Sequence, residues 1–179
     1  MIPAGLTDQN TEFFASGGKL YSLSDGLRFQ YPAMPARHIN FLKAEMEKDP
    51  KALNTLQDFD ETDKIMVFGI CRFGGCNATP DLTDGECTDP QEYYNCGIRG
   101  KCMYEGIRCK EIVTGEGIIS PRQLEIMIMV SNGLLNKEIA DRLDISEHTV
   151  HNHIANIITK IGGRNRVDIA AFIKERGIT

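Results

Sequence analysis

The chain has 179 residues, room for one large domain or two small ones, with 41% hydrophobic and 25% charged residues as in an ordinary globular protein. No apolar run approaches the ~20 residues of a membrane-spanning helix, and the first residues lack the basic start and apolar core of a secretory signal. Membrane partners are therefore not expected, and the cytoplasm is the expected compartment. The net charge of −5 is unevenly spread: residues 120–179 carry eight Lys/Arg against seven Asp/Glu, while residues 1–119 carry twelve against eighteen.

Residues 1–113 read as an acidic N-terminal domain, helical to about residue 62 and Cys-rich over 63–112. It opens on a polar, glycine-containing stretch with little periodicity. A helix is expected near Pro35–Lys48, where Ile39, Leu42 and Met46 recur at helical spacing. Arg37, His38, Glu45 and Glu47 read as its solvated face. Asp49-Pro50 has the pattern of an N-cap followed by proline in the first turn, starting a second short helix through Leu53 and Leu56. The apolar run Ile65–Ile70 reads as a short buried strand ending at Cys71, followed by an acidic loop from Asp81 to Asp89.

All six cysteines fall between Cys71 and Cys109. In a reducing compartment such a cluster points to metal or redox chemistry rather than to disulfides. There is no Cys-x2-Cys pair, but Cys96, Cys102 and Cys109 lie close together among Arg99, Lys101, Arg108 and Lys110, cations that favour thiolate. Three thiolates need a fourth to close a tetrahedral site. Cys71 is the chosen fourth and Cys76 its main competitor, since acids surround Cys87. A structural zinc ion on Cys71, Cys96, Cys102 and Cys109 is the expectation. An iron–sulfur cluster, unmetallated thiols and reversible disulfides are the alternatives.

After a Gly115–Gly117 linker, residues 118–179 read as four helices. Ser120-Pro121-Arg122-Gln123 combines a capping serine, a first-turn proline and the glutamine of a capping box. Leu124, Met127, Ile128 and Val130 give the apolar face of this helix, and Gly133 ends it. Asn136 is expected to cap the second helix, Leu143-Asp144-Ile145 to turn, and Ser146 to cap the third. Two short helices joined by so few residues suit a helix-turn-helix. On the third helix Val150, Ile154, Ile157 and Ile161 fall on one side. His148, Asn152, Ala155, Asn156 and Thr159 fall on the other, with Thr149 and His151 flanking. Amides and small residues with almost no acid suit a major groove, where Asn can pair with adenine. His148, His151 and His153 could suggest a metal, but no Cys or carboxylate pair lies near to complete such a site. After Gly162-Gly163, a fourth helix carries apolar Val167, Ile169, Ala170 and Ile173.

Ile119–Glu125, Asn136–Ala140, Leu143–Glu147, Thr149-Val150, His153, Lys160 and Asn165-Arg166 together resemble the LuxR/NarL/GerE family of transcription regulators over about sixty residues. The resemblance implies base contacts from His151, Asn152, Ala155 and Asn156, and phosphate contacts from Asn136, Lys137, Thr149, His153 and Lys160. It implies dimer contacts from the fourth helix, with double-stranded DNA, a second copy of the chain and RNA polymerase as partners. Two departures stand out: the family usually has Lys at the place of His151 and a small polar residue at the place of Leu135. The Arg72–Gly75 and Cys96–Cys109 segments also resemble Cys-containing upstream regions of some Bacteroidetes and phage regulators, a likeness that implies no activity.

No phosphate loop, Gly-x-Ser-x-Gly or His-Glu-x-x-His motif is present, so no enzyme is expected. A phosphoacceptor receiver would need an Asp closing a central strand, and an acyl-homoserine-lactone domain is a larger, aromatic-lined fold than this Trp-free chain suggests. The expected fold is mainly α, a C-terminal four-helix helix-turn-helix module preceded by a small α+β Cys-rich domain. The expected function is DNA-binding transcription regulation. Its rival is a metal- or redox-sensing protein-interaction module in which the Cys-rich domain carries the function; a non-DNA helical adaptor and a sigma-factor-like helix-turn-helix are further alternatives to the C-terminal reading.

Overall fold

The computed structural model describes residues 2–88, 94–176 and 178; Asp89, the end of the expected acidic loop, lies outside them. The chain forms two compact units, residues 1–96 with 107–110, and residues 97–106 with 111–179. Among the described residues no helix is long and apolar enough to cross a membrane.

The first unit begins with a three-stranded antiparallel meander of β1 (Glu12–Ser16), β2 (Lys19–Ser24) and β3 (Leu27–Gln30), where sequence reasoning expected no regular element. Two-residue turns join the strands. Gly17-Gly18 links the Ser16–Lys19 pair and Asp25-Gly26 links Ser24–Leu27, all four turn residues having positive φ. That conformation matches the right-handed twist of the flanking strands and is the reason for Gly-Gly and Asp-Gly at these positions. Residues 1–62 are thus not helical throughout: the strands precede α1 (Ala36–Glu47) and α2 (Pro50–Asn54). Both helices fall where the sequence places them, and the Asp49 side chain caps α2 by accepting from the Ala52 amide at 3.0 Å.

The expected strand at Ile65–Ile70 is instead the middle of a 13-residue helix, α3 (Glu61–Phe73). Its buried positions, Ile65, Phe68, Gly69 and Arg72, follow helical rather than alternate spacing. Asp60 caps it through the Asp63 amide at 2.8 Å, so tertiary packing and a capped start outweigh β-branched propensity. Gly69 is where α3 meets β2; a Cβ there would lie 2.4 Å from a Leu20 methyl. Phe13, Leu20, Phe41, Leu42, Leu56 and Phe68 centre the core. Phe41 stacks on Phe13 at 5.6 Å between ring centroids and tilts against Phe73 at 5.5 Å. A short hairpin, β4 (Leu82–Thr83) and β5 (Glu86–Cys87), turns at Asp84-Gly85.

The second unit opens with residues 97–106, where Arg99 and Glu105 form a buried ion pair at 2.8 Å. Glu105 also accepts from the Gly100 amide. Gly100 packs so close to Glu125 that a Cβ would lie 2.9 Å from its Cα. The expected glycine linker is an antiparallel hairpin, β6 (Ile112–Thr114) and β7 (Gly117–Ile119). Four helices follow, α4 (Pro121–Ser131), α5 (Asn136–Leu143), α6 (Glu147–Lys160) and α7 (Arg166–Glu175). Leu124, Ile126, Met127, Ile139, Val150, Ile157, Ile169 and Ile173 form their shared core.

Candidate nucleic-acid interface

Three of the four helices of the second unit, α4, α6 and α7, start on a side-chain cap. Ser120 and Gln123 form the reciprocal capping box of α4, with Ser120 Oγ accepting from the Gln123 amide at 3.2 Å and Gln123 Oε1 accepting from the Ser120 amide at 3.0 Å. Ser146 caps α6 through the Thr149 amide at 3.0 Å, and Asn165 caps α7 through the Val167 amide at 2.8 Å. The α5 start differs from expectation. Leu135, not Asn136, occupies the N-cap, and its side chain has no oxygen with which to cap. The other half of a capping box survives, since Glu138 Oε2 accepts from the Leu135 amide at 2.6 Å.

Between α5 and α6 the chain reverses within Asp144–Ser146. Asp144 adopts the left-handed conformation at φ 50°, which ends α5, and the Ile145 amide returns to the Ala140 carbonyl at 3.1 Å. Arg122, from α4, donates to the Leu143 carbonyl at the end of α5 at 2.9 Å and pairs with Glu125 at 2.7 Å. The bond to Leu143, between residues 21 apart, leaves no trace in residue spacing.

On α6, Val150, Ile154 and Ile157 are buried. His148, His151, Asn152, Ala155, Asn156 and Thr159 are exposed and fall along one stripe on the opposite side. Among the described residues the side chains of His151, Asn152 and Asn156 have no intramolecular hydrogen-bonding partner. All four residues for which base contacts are expected therefore share one solvent-facing surface.

The residues for which phosphate contacts are expected are less uniform. Lys137 is exposed, whereas Thr149 and His153 are half-buried. Thr149 Oγ1 lies 2.8 Å from Ser146 Oγ in the cap. Asn136 accepts from Arg166 at 2.6 Å, and Arg166 also donates to the Leu134 carbonyl, tying α7 to the loop before α5. Burial lowers the pKa of Arg166 from its ordinary value. Lys160 donates to the Ile118 carbonyl at 2.6 Å and to Gln123 Oε1 at 2.8 Å, joining the end of α6 to β7 and α4. Asn136 and Lys160 thus perform structural work inside the domain. Arg142, exposed on α5, is a cation that motif reading passed over.

The four cysteines of the expected zinc site fall in both units. Cys71 is half-buried on α3 rather than at a strand end, Cys96 is exposed and Cys109 is buried, all in the first unit. Cys102 belongs to the second unit, where its Sγ accepts from the Tyr104 amide at 3.4 Å. Among the described residues no group of three or more His, Cys, Asp or Glu side chains is placed to hold one metal ion.

Residues 118–173 match the family described as bacterial regulatory proteins, luxR family, and form a helix-turn-helix domain of that family. The chain is 39% identical over 61 residues to the transcriptional regulatory protein LnrK of Bacillus subtilis, covering 34% of this chain and 28% of LnrK. It is 39% identical over 103 residues to the nitrate/nitrite response regulator protein NarP of Escherichia coli, covering 50% of this chain and 48% of NarP. It is 37% identical over 60 residues to the nitrate/nitrite response regulator protein NarL of the same organism, covering 34% and 28%. The chain spans less than half the length of each of these relatives.

Proposed function

We propose that this chain, through its LuxR-family domain at residues 118–173, is a DNA-binding transcription regulator that places α6 in the major groove and acts as a dimer. The observation that carries the reading is the α6 stripe, in which two amides without internal partners flank the small Ala155 on a surface without acid. An Asn side chain can donate to N7 of adenine and accept from its exocyclic N6 amine only if both its groups are unengaged, as they are in Asn152 and Asn156. Ala155 between them permits close approach to the base edges. Lys137 and Arg142 on α5 supply exposed positive charge for the backbone. On α7, Val167 is 73% exposed and Ala171 follows one turn later on the same face, an apolar surface suited to a second copy.

The test is a comparison of two DNAs. Asn156→Ala is expected to weaken binding to a selected site by about 1–3 kcal/mol while leaving affinity for random DNA almost unchanged. Equal losses on both DNAs would assign Asn156 to backbone positioning and remove the base-reading role.

A further inference from the structure

A cavity of about 450 Å³ opens in the first domain, within the roughly 300–1,000 Å³ range of small-molecule sites. Buried Thr11, Phe41 and Leu82 are among its lining residues, with the exposed side chains of Arg37, Asn40 and Asp84. The Thr11 end is braced by the backbone: the Thr11 amide donates to the Leu82 carbonyl at 2.9 Å, and the Leu82 amide returns to Thr11 at 3.1 Å.

Arg37 is fixed in place by neutral partners. Its Nε donates to His38 Nε2 at 3.1 Å and its Nη2 to Ser24 Oγ at 3.0 Å. These bonds orient the guanidinium without cancelling its charge, and Arg37 makes no ion pair among the described residues. Asp84, held at φ 52° in the β4–β5 turn, likewise pairs with no described cation. Two opposite charges therefore line one cavity without neutralising each other. A ligand carrying both charges would complete each, with an apolar body set against Phe41 and Leu82.

We propose that this cavity binds a small zwitterion, a free α-amino acid with an uncharged side chain. Its carboxylate meets the remaining N–H groups of Arg37, a charge-assisted contact, and its ammonium meets Asp84. Binding here is independent of the DNA-reading role of α6, so either proposal can fail alone.

The experiment measures thermal unfolding and calorimetric binding of the full chain with each uncharged-side-chain amino acid at millimolar concentration. N-acetylated and carboxamide forms serve as probes, because each removes one charge. At least one amino acid should bind saturably and raise the unfolding midpoint, with both blocked forms weaker by about tenfold or more. Asp84→Asn, in an exposed turn, and Ala44→Leu, which fills the cavity from the α1 side, should each lose that binding while remaining folded. Absence of binding by every amino acid would overturn the proposal. So would equal binding of the blocked forms, or undiminished binding by both variants.

Discussion

His38 shows what residue identity alone leaves hidden. Read from sequence, it belongs to the solvated face of α1; in the fold it is fully buried between Phe13 and Phe29. Because Arg37 Nε donates to Nε2, that nitrogen must accept, which leaves Nδ1 to donate to Ser22 Oγ at 2.9 Å. Burial first, and the Arg37 charge second, push the pKa from 6.5 down to about 4. The folded protein thus holds His38 neutral where the unfolded chain would protonate it. Stability from this group is complete above pH 6.5 and is lost as pH falls toward 4. Urea denaturation should show a loss of about 1.5 kcal/mol between pH 6.5 and pH 5, a slope that His38→Gln reduces. A flat profile over that interval would contradict the buried neutral imidazole. Asn136 carries the same lesson in the second domain. Its family position suggests phosphate, but the structure also engages it with Arg166, a bond between residues 30 apart in the chain.

At the scale of elements, caps were the most legible signals, because a cap acts over three or four residues. Ser120, Ser146 and Asp49 cap where the sequence places them, whereas the expected Asn136 cap falls one residue early, on Leu135. The meander was present in the sequence as Gly17-Gly18 and Asp25-Gly26 between alternating residues, the strongest short hairpin signals, but the surrounding polarity masked it. The α3 error has a different origin. Six apolar residues in a row fit a buried strand or a buried helix equally, and only the Asp60 cap and the length to Phe73 separate them. The Leu135 departure at the α5 cap yields a prediction. Leu135→Thr supplies the missing acceptor opposite Glu138 and should stabilise the second domain by about 1 kcal/mol, read from its denaturation midpoint. No gain would mean that the first turn of α5 is already satisfied by water.

For the whole molecule, the division of charge has a physical consequence. Residues 120–179 are nearly neutral, and three of their cations, Arg122, Lys160 and Arg166, are engaged internally. Counterion release by a single copy is therefore small, which supports the proposal that two copies act together. The composition and the LuxR-like spacing made the second domain readable. In the first domain only α1 and α2 were readable, because its core joins strands, helices and loops across long separations that no local pattern encodes. The cysteines, prominent in sequence, are divided between the two units. Sequence-specific DNA reading by α6 is tested by selection of random duplex DNA with the purified full chain, followed by footprinting. The expected outcome is one enriched motif, repeated as two half-sites about one helical turn apart, bound about a thousandfold or more tighter than random DNA. Recovery of no motif, with equal affinity for all duplexes, would contradict it.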